Sequence, residues 1–66
     1  MTPKFPDVHV QLSGRDGNAF FIIGRTRTAL KDGGATPEQV QEYVDAAESG
    51  DYDNVLQTTM KWVSTS

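Results

Sequence analysis

The chain has 66 residues, of which 36% are hydrophobic, and a formal net charge of −3 at pH 7. A chain of this length builds one small core and has no room for a second domain. It contains no cysteine, which excludes a disulfide framework, a thiolate zinc site and a thiol nucleophile, so stability must come from packing or association with another chain. The excess of acids argues against binding to duplex nucleic acid, which depends on a surplus of Lys and Arg.

The first residues predict an extended segment without regular structure. Pro3 and Pro6 each lack a backbone donor and disfavour the helical region for the residue before them. We therefore expect residues 1–7 to be a flexible lead-in and residues 8–66 to form the single domain.

A strand is predicted immediately after this lead-in. Apolar and polar residues alternate over 8–12, with Val8 and Val10 on one face and His9 on the other. This alternation is typical of a half-buried strand.

Residues 13–18 concentrate turn formers and leave two interpretations open for the segment that follows. In one, Asp16 and Gly17 form a hairpin turn and residues 19–23 return as a second strand. In the other, which we favour, a capped helix runs over about 18–32 because its apolar residues recur at helical spacing. The apolar stripe of this helix comprises Ala19, Ile22, Ile23, Thr26, Ala29 and Leu30.

Gly24 lies inside this predicted helix, where glycine is destabilising by about 1 kcal/mol relative to alanine. Its presence suggests either the close approach of another backbone or a break between a strand and a helix. Gly33 and Gly34 then end the helix with a left-handed cap.

Two further helices are predicted over about 37–49 and 53–63. The N-cap residue Thr36 precedes a proline at the first helical position, and Gln39 stands at the capping-box position. Asp51 or Asp53 is the N-cap of the later helix. The apolar face of the earlier helix comprises Val40, Tyr43, Val44 and Ala47. That of the later helix comprises Tyr52, Val55, Leu56, Thr59, Met60 and Val63, with Trp62 at its margin.

These elements predict an α+β fold that is mostly helical, with one N-terminal strand followed by three short helices. A single strand needs a hydrogen-bonding partner. Three partners are open: the C-terminal residues 62–65, residues 19–23, or the same strand of a second subunit in a two-fold continuous sheet.

Basic residues concentrate early in the chain and acidic residues later. Residues 15–31 contain four Lys or Arg and one acid, whereas residues 38–53 contain six acids and no Lys or Arg. The two charged faces would pair within one chain or across a dimer. Alternatively, the loop at 14–18 would offer backbone N–H groups and an arginine to a small anion, although it lacks the P-loop and dinucleotide-binding patterns. The candidate ligand-binding residues are Arg15, Gly17, Asn18, Arg25 and Arg27.

The sequence offers few residues for catalysis or metal binding. His9 is the only histidine and has no neighbouring cysteine or HExxH-like spacing, so we interpret it as a surface residue. Residues 51–54 match only the beginning of an EF-hand loop, and helix capping is the favoured interpretation of their acids. We predict no enzyme activity, no metal and no cofactor.

The aromatic side chains exceed what a core of this size encloses, which indicates an interface. Phe20 and Phe21 are adjacent, so they diverge by about 100° on a helix or about 180° on a strand, and at least one points away from the core. We expect a homo-oligomer, with a dimer favoured. The candidate interface residues are Val8, Val10, Phe20, Phe21, Tyr52 and Trp62.

Five short segments together carry a resemblance. They are DGNAF at 16–20, IIG at 22–24, AL at 29–30, SGDYDN at 49–54 and MKWV at 60–63. This pattern resembles small uncharacterised proteins encoded in bacteriophage, prophage and bacterial genomes. The resemblance implies a phage-linked setting and carries over no functional residues.

These observations predict a non-enzymatic interaction or regulatory protein that binds a host or phage protein. The alternative is an oligomeric binder, or sponge, for an anionic nucleotide-like molecule. No apolar run has the length of a membrane span or of a signal peptide, so we expect a cytoplasmic protein whose partners include neither membrane nor duplex nucleic acid.

Overall fold

The computed structural model describes residues 2–12 and 19–66, which contain two strands and three helices. The elements are β1 (Phe5–Val10), α1 (Ala19–Asp32), α2 (Pro37–Ala47), α3 (Tyr52–Trp62) and β2 (Val63–Thr65). Helices account for 61% and strands for 15% of the described residues, which confirms the predicted α+β, mostly helical class. The predicted turn at 13–18 lies outside them.

The N-terminal strand pairs with the C-terminus of the same chain. β1 and β2 run parallel, with Phe5 opposite Val63 and Val10 opposite Thr65, and the register is irregular between Phe5 and His9. This arrangement is one of the three predicted pairings. The β1–β2 pair brings the two ends of the chain together across the three helices.

The strand begins earlier than predicted, at Phe5 rather than near residue 8. The Lys4 backbone N–H donates to the Lys61 carbonyl at 3.2 Å, and Ser64 Oγ donates to the Pro6 carbonyl at 2.7 Å. These bonds hold residues 4–6 against the end of α3 and β2. Proline is tolerated in such a short, irregular edge strand because its missing N–H breaks no ladder bond there. The lead-in prediction is therefore wrong for residues 5–7.

Helix α1 is continuous through residues 19–32, so the hairpin interpretation is wrong. Its end is a Schellman motif, in which the Ala35 N–H donates to the Leu30 carbonyl and the Gly34 N–H donates to the Lys31 carbonyl. Gly34 has a φ of +95°, the left-handed conformation that glycine adopts without strain. The predicted left-handed cap is confirmed.

The glycine that permits a close approach within the chain is Gly33, not Gly24. A Cβ added at Gly33 would overlap Val8 Cγ2 and lie 3.2 Å from the Ala29 carbonyl oxygen. A Cβ added at Gly24 would meet nothing within 4 Å. Neither predicted reason for Gly24 is met within the described residues, because none of them approaches the position of a Cβ there and α1 is unbroken.

Helices α2 and α3 begin with side-chain caps. Thr36 Oγ1 accepts from the Gln39 N–H, and Gln39 Oε1 accepts from the Thr36 N–H, which forms the expected capping box. Asp51 accepts from the Asn54 N–H at 3.0 Å and is the N-cap of α3. Asn54 Nδ2 donates to the Ala46 carbonyl at 3.0 Å and so ties α3 to the end of α2. Of the two predicted N-cap candidates, Asp51 and Asp53, Asp51 therefore caps α3.

The core forms where the three helices meet β1 and β2. Tyr43 of α2 is fully buried, and its hydroxyl lies 2.7 Å from Thr59 Oγ1 of α3, which in turn donates to the Val55 carbonyl at 2.7 Å. The apolar face predicted for α2 is confirmed, with Val44 half-buried. The face predicted for α3 is rotated: the residues that α3 buries are Val55, Thr58, Thr59 and Trp62.

Candidate functional site

The outward face of α1 carries two large apolar side chains. Ile22, Ile23 and Leu30 are buried against the rest of the fold. Successive helical residues are about 100° apart, so this buried stripe turns the opposite side of α1 outward. Phe20 is 78% exposed and Phe21 is 52% exposed. Both phenylalanines of the pair lie at the surface.

Beside them the helix surface forms an open groove of about 630 Å³. Gly24 lies between the two phenylalanines and Thr28 along the helix, where it has no side chain to fill the groove. Thr28 Oγ1 donates to the Gly24 carbonyl at 3.2 Å. We call this feature the α1 groove. It is lined by Phe20, Phe21, Gly24, Arg25, Thr28, Ala29 and Asp32.

Cations lie on both sides of the α1 groove. The Arg25 guanidinium lies over the Phe21 ring, with 4.7 Å between Cζ and the ring centroid, a cation–π contact that holds the ring at the groove wall. Arg27 and Lys31 are exposed on the other side of the helix, where they line a separate cavity of about 360 Å³ beside Pro37 at the start of α2. Asp32 is the one acid in α1.

The exposed aromatic surface continues onto α3. Phe20 and Tyr52 line opposite walls of a cleft of about 250 Å³ between the first turns of α1 and α3. Tyr52 is 38% exposed, and Met60 further along α3 is 42% exposed. Phe20 therefore belongs to both the α1 groove and this cleft.

The predicted ligand-binding residues divide into two groups. Arg15, Gly17 and Asn18 lie outside the described residues. Arg25 and Arg27 are both exposed but line different cavities, because residues two positions apart on a helix point about 200° apart. The fold does not bring these two arginines together.

Three of the six predicted interface residues are buried inside the chain. Val8, Val10 and Trp62 belong to the hydrophobic core. The Trp62 ring stacks on Phe5 at 6.1 Å between centroids and meets the edge of Tyr43 at 5.8 Å. The interface prediction is wrong for these three because the parallel pairing of β1 with β2 covers them.

The acidic face of α2 does not neutralise α1 within the chain. Among the residues that the structure describes, the ion pair found is Lys4 with Glu42, at 3.4 Å between two half-exposed side chains. The Lys4 ammonium also lies 4.2 Å from the centroid of the Trp62 ring. The cations of α1 are exposed, and none of them forms an ion pair with a described acid of α2.

The described parts of the chain hold no group of three or more His, Asp or Glu side chains arranged to bind a metal ion. His9 is exposed on β1. No helix in ranges 2–12 and 19–66 has the length and apolar character needed to cross a membrane. What the arrangement on α1 offers is an apolar, cation-flanked binding surface.

Sequence reasoning missed the role of Gly24 in this surface. Its position four residues after Phe20 and four before Thr28 was the available signal, since residues at this spacing share a helix face. Met60 was also assigned to the wrong side of its helix. Trp62 is buried in the core, and Met60, two residues before it on the helix, points away from the core and is exposed.

The resemblance to phage-encoded proteins stays a prediction. Comparisons with protein-family models, with curated protein sequences and with solved structures found no match. The function is therefore argued from the geometry of this chain alone.

Proposed function

We propose that the protein is a non-enzymatic interaction protein that binds a host or phage protein through the α1 groove. The observation that carries the proposal is the exposure of Phe20 and Phe21 beside Gly24, which has no side chain to fill the α1 groove. Two adjacent exposed phenylalanines form a contiguous apolar patch, and such patches are typical of interaction sites. The phage-linked setting is part of the proposal and comes from the sequence pattern.

The energetics favour a protein partner for this surface. Covering one exposed phenylalanine stabilises a complex by roughly 1.5–3 kcal/mol. Aromatic and arginine side chains are the residues that most often dominate binding energies. The pair Phe21 and Arg25, already in contact, presents both types at one place. A partner that covers the groove gains from both without reorganising α1.

The alternative function is an oligomeric sponge for an anionic nucleotide-like molecule. It draws support from Arg27 and Lys31, which line one cavity next to the start of α2. It draws none from Arg25, which lies in another cavity. Loss of ligand binding in Arg15→Ala and Arg25→Ala, with fold and oligomer intact, would favour the sponge. Loss in Arg27→Ala alone would place the anion beside α2.

Self-association is a separate part of the proposal, with a dimer favoured. The solution mass, measured by light scattering after size exclusion across a hundredfold dilution, tests it directly. A mass of two chains that persists on dilution supports the dimer, and a single-chain mass throughout rejects it.

The interaction proposal is tested by site-specific photo-crosslinking in bacterial cells. p-Benzoylphenylalanine is introduced in place of Phe21, and in a matched control in place of Gln57, an exposed residue of α3 that lines none of the cavities described above. We expect discrete adducts at position 21 and none at position 57. Mass spectrometry of each adduct distinguishes a second copy from a different protein.

The added variant Gly24→Leu makes the test specific to the groove. A Cβ at this position meets nothing within 4 Å, so the fold should tolerate the change while the groove fills. The adduct at position 21 should weaken severalfold in this background. Equal labelling at both positions, or no adduct at position 21, would reject the proposed function.

A further inference from the structure

Gly24 lowers the stability of α1, and no contact among the described residues requires a glycine at this position. Glycine in a helix interior is destabilising relative to alanine. Gly24 lies in the middle of a continuous helix and its φ is not positive, and none of the described residues from other parts of the chain comes within 4 Å of the position that a Cβ would take. A benefit of glycine at this position then lies in a contact from outside the described residues, because glycine admits the close approach of another backbone.

The dimensions of the surface match a helix. From Phe20 to Asp32 the α1 groove spans about 18 Å, at 1.5 Å per residue, which is the length of about three helical turns. The outward face of a helix has no free row of backbone donors and acceptors, so an extended peptide would gain none of the ladder bonds that hold an added strand. A helix that packs its apolar side chains between Phe20 and Thr28 gains from the groove directly.

The charged residues around the α1 groove indicate what charge the bound helix should carry. Arg25 flanks the groove on one side, and Arg27 and Lys31 lie towards the other. Asp32 is the single acid and lies at the C-terminal end. Charge complementarity therefore favours acidic residues on both edges of the bound helix.

A second copy of the chain fits this surface poorly. Two α1 helices packed on each other would bring together two surfaces that each carry three cations and one acid, Asp32, so the net interaction between them is repulsive. The acidic face of α2 has the right charge, but none of the large exposed hydrophobic side chains of the described residues lies on it. That face offers no large exposed apolar side chain to cover Phe20 and Phe21.

We infer that the α1 groove binds an acidic amphipathic helix of a different protein, with the partner's backbone closest at Gly24. The inference rests on the proposed function and names the chemistry of the partner. The bound helix places apolar residues at i, i+3, i+4 and i+7 against the groove and acids opposite Arg25 and Lys31.

The test is an unbiased selection of randomised 14-residue peptides by display on the full-length protein. We expect the enriched peptides to be net acidic, to carry apolar residues at helical spacing and to gain helicity on binding, as measured by circular dichroism. The affinity of the best peptide is then measured by fluorescence anisotropy against four variants. They are Gly24→Leu, Arg25→Glu, Lys61→Glu and Met60→Ala.

Each groove variant has a matched control on α3. Gly24→Leu should weaken binding at least tenfold while its melting temperature is not lowered, so the loss is not a folding defect. Arg25→Glu should weaken binding at least fivefold, whereas Lys61→Glu, with the same change in net charge, stays within twofold of the wild type. Met60→Ala, which removes another exposed apolar side chain, should also stay within twofold.

Three results would overturn the inference. They are enrichment of basic, neutral or extended peptides, unchanged binding to Gly24→Leu, and a stable dimer whose α1 groove the peptides cannot enter. A cellular adduct at position 21 with a protein that lacks an acidic helix would reject this inference and leave the proposed function standing. The absence of any adduct there would reject both.

Discussion

Replacing Thr26 by valine should stabilise the protein, whereas the same replacement at Thr59 should destabilise it. Both threonines lie in helices and have no exposed surface. Thr26 Oγ1 is buried without a hydrogen-bond partner among the described residues. Thr59 Oγ1 donates to the Val55 carbonyl, so its one proton is used and the Tyr43 hydroxyl must donate to it.

The magnitudes follow from what each hydroxyl does. A buried hydroxyl without a partner is destabilising by roughly 1–3 kcal/mol, so Thr26→Val should raise the free energy of unfolding by about 1 kcal/mol. Thr59→Val removes two hydrogen bonds and leaves the buried Tyr43 hydroxyl unpaired, so it should lower that free energy by about 2 kcal/mol. Helix propensity contributes little, because both residues are β-branched.

Thermal and urea unfolding, followed by circular dichroism at 222 nm, measures both variants against the wild type. For a domain of this size, a change of 1 kcal/mol moves the melting temperature by about 4–8 °C. We expect Thr26→Val to melt above the wild type and Thr59→Val well below it. A lower melting temperature for Thr26→Val, or equal losses in both variants, would refute the reasoning from hydrogen-bond satisfaction.

Three further predictions concern stability. Gly24→Ala should raise the free energy of unfolding by about 1 kcal/mol, because alanine has the higher helix propensity. Gly33→Ala should lower that free energy by at least about 1 kcal/mol, because the added Cβ overlaps Val8. Equal shifts of the two variants in urea unfolding would contradict this prediction. Asn54→Ala should lose about 1–2 kcal/mol with the link between α3 and the end of α2, and a melting temperature equal to the wild type would refute that role. Glu42→Gln should change stability by less than about 1 kcal/mol at any salt concentration, because its ion pair is half-exposed; a larger, salt-dependent loss would show that the pair matters.

Local signals in the sequence were sufficient to locate the helices. The capping box at Thr36 and the glycine pair at 33–34 were read correctly because each is a set of hydrogen bonds among residues within about five positions. The spacing of apolar residues likewise predicted the buried faces of α1 and α2. It misplaced the buried face of α3, because apolar residues occur on both sides of that helix. The face that contains Trp62 is the one that packs against the core.

The strand boundaries and the strand partner required the tertiary structure. Alternation over 8–12 indicated a strand, but three pairings satisfied it equally well. β1 pairs with β2, some 58 residues along the chain, and no local pattern carries that information. The same pairing orders residues 5–7 despite Pro6, and it buries Val8, Val10 and Trp62.

The sequence by itself determined the mostly helical α+β class, approximately where the helices start and stop, and that at least one of Phe20 and Phe21 lies at the surface. These properties depend on composition and on interactions between near neighbours. Only the tertiary structure decided that both phenylalanines are exposed and that Gly33 rather than Gly24 meets another element of the described chain. Those outcomes depend on how all the elements pack at once, because each helix turns towards the core the face that buries the most apolar surface against its neighbours.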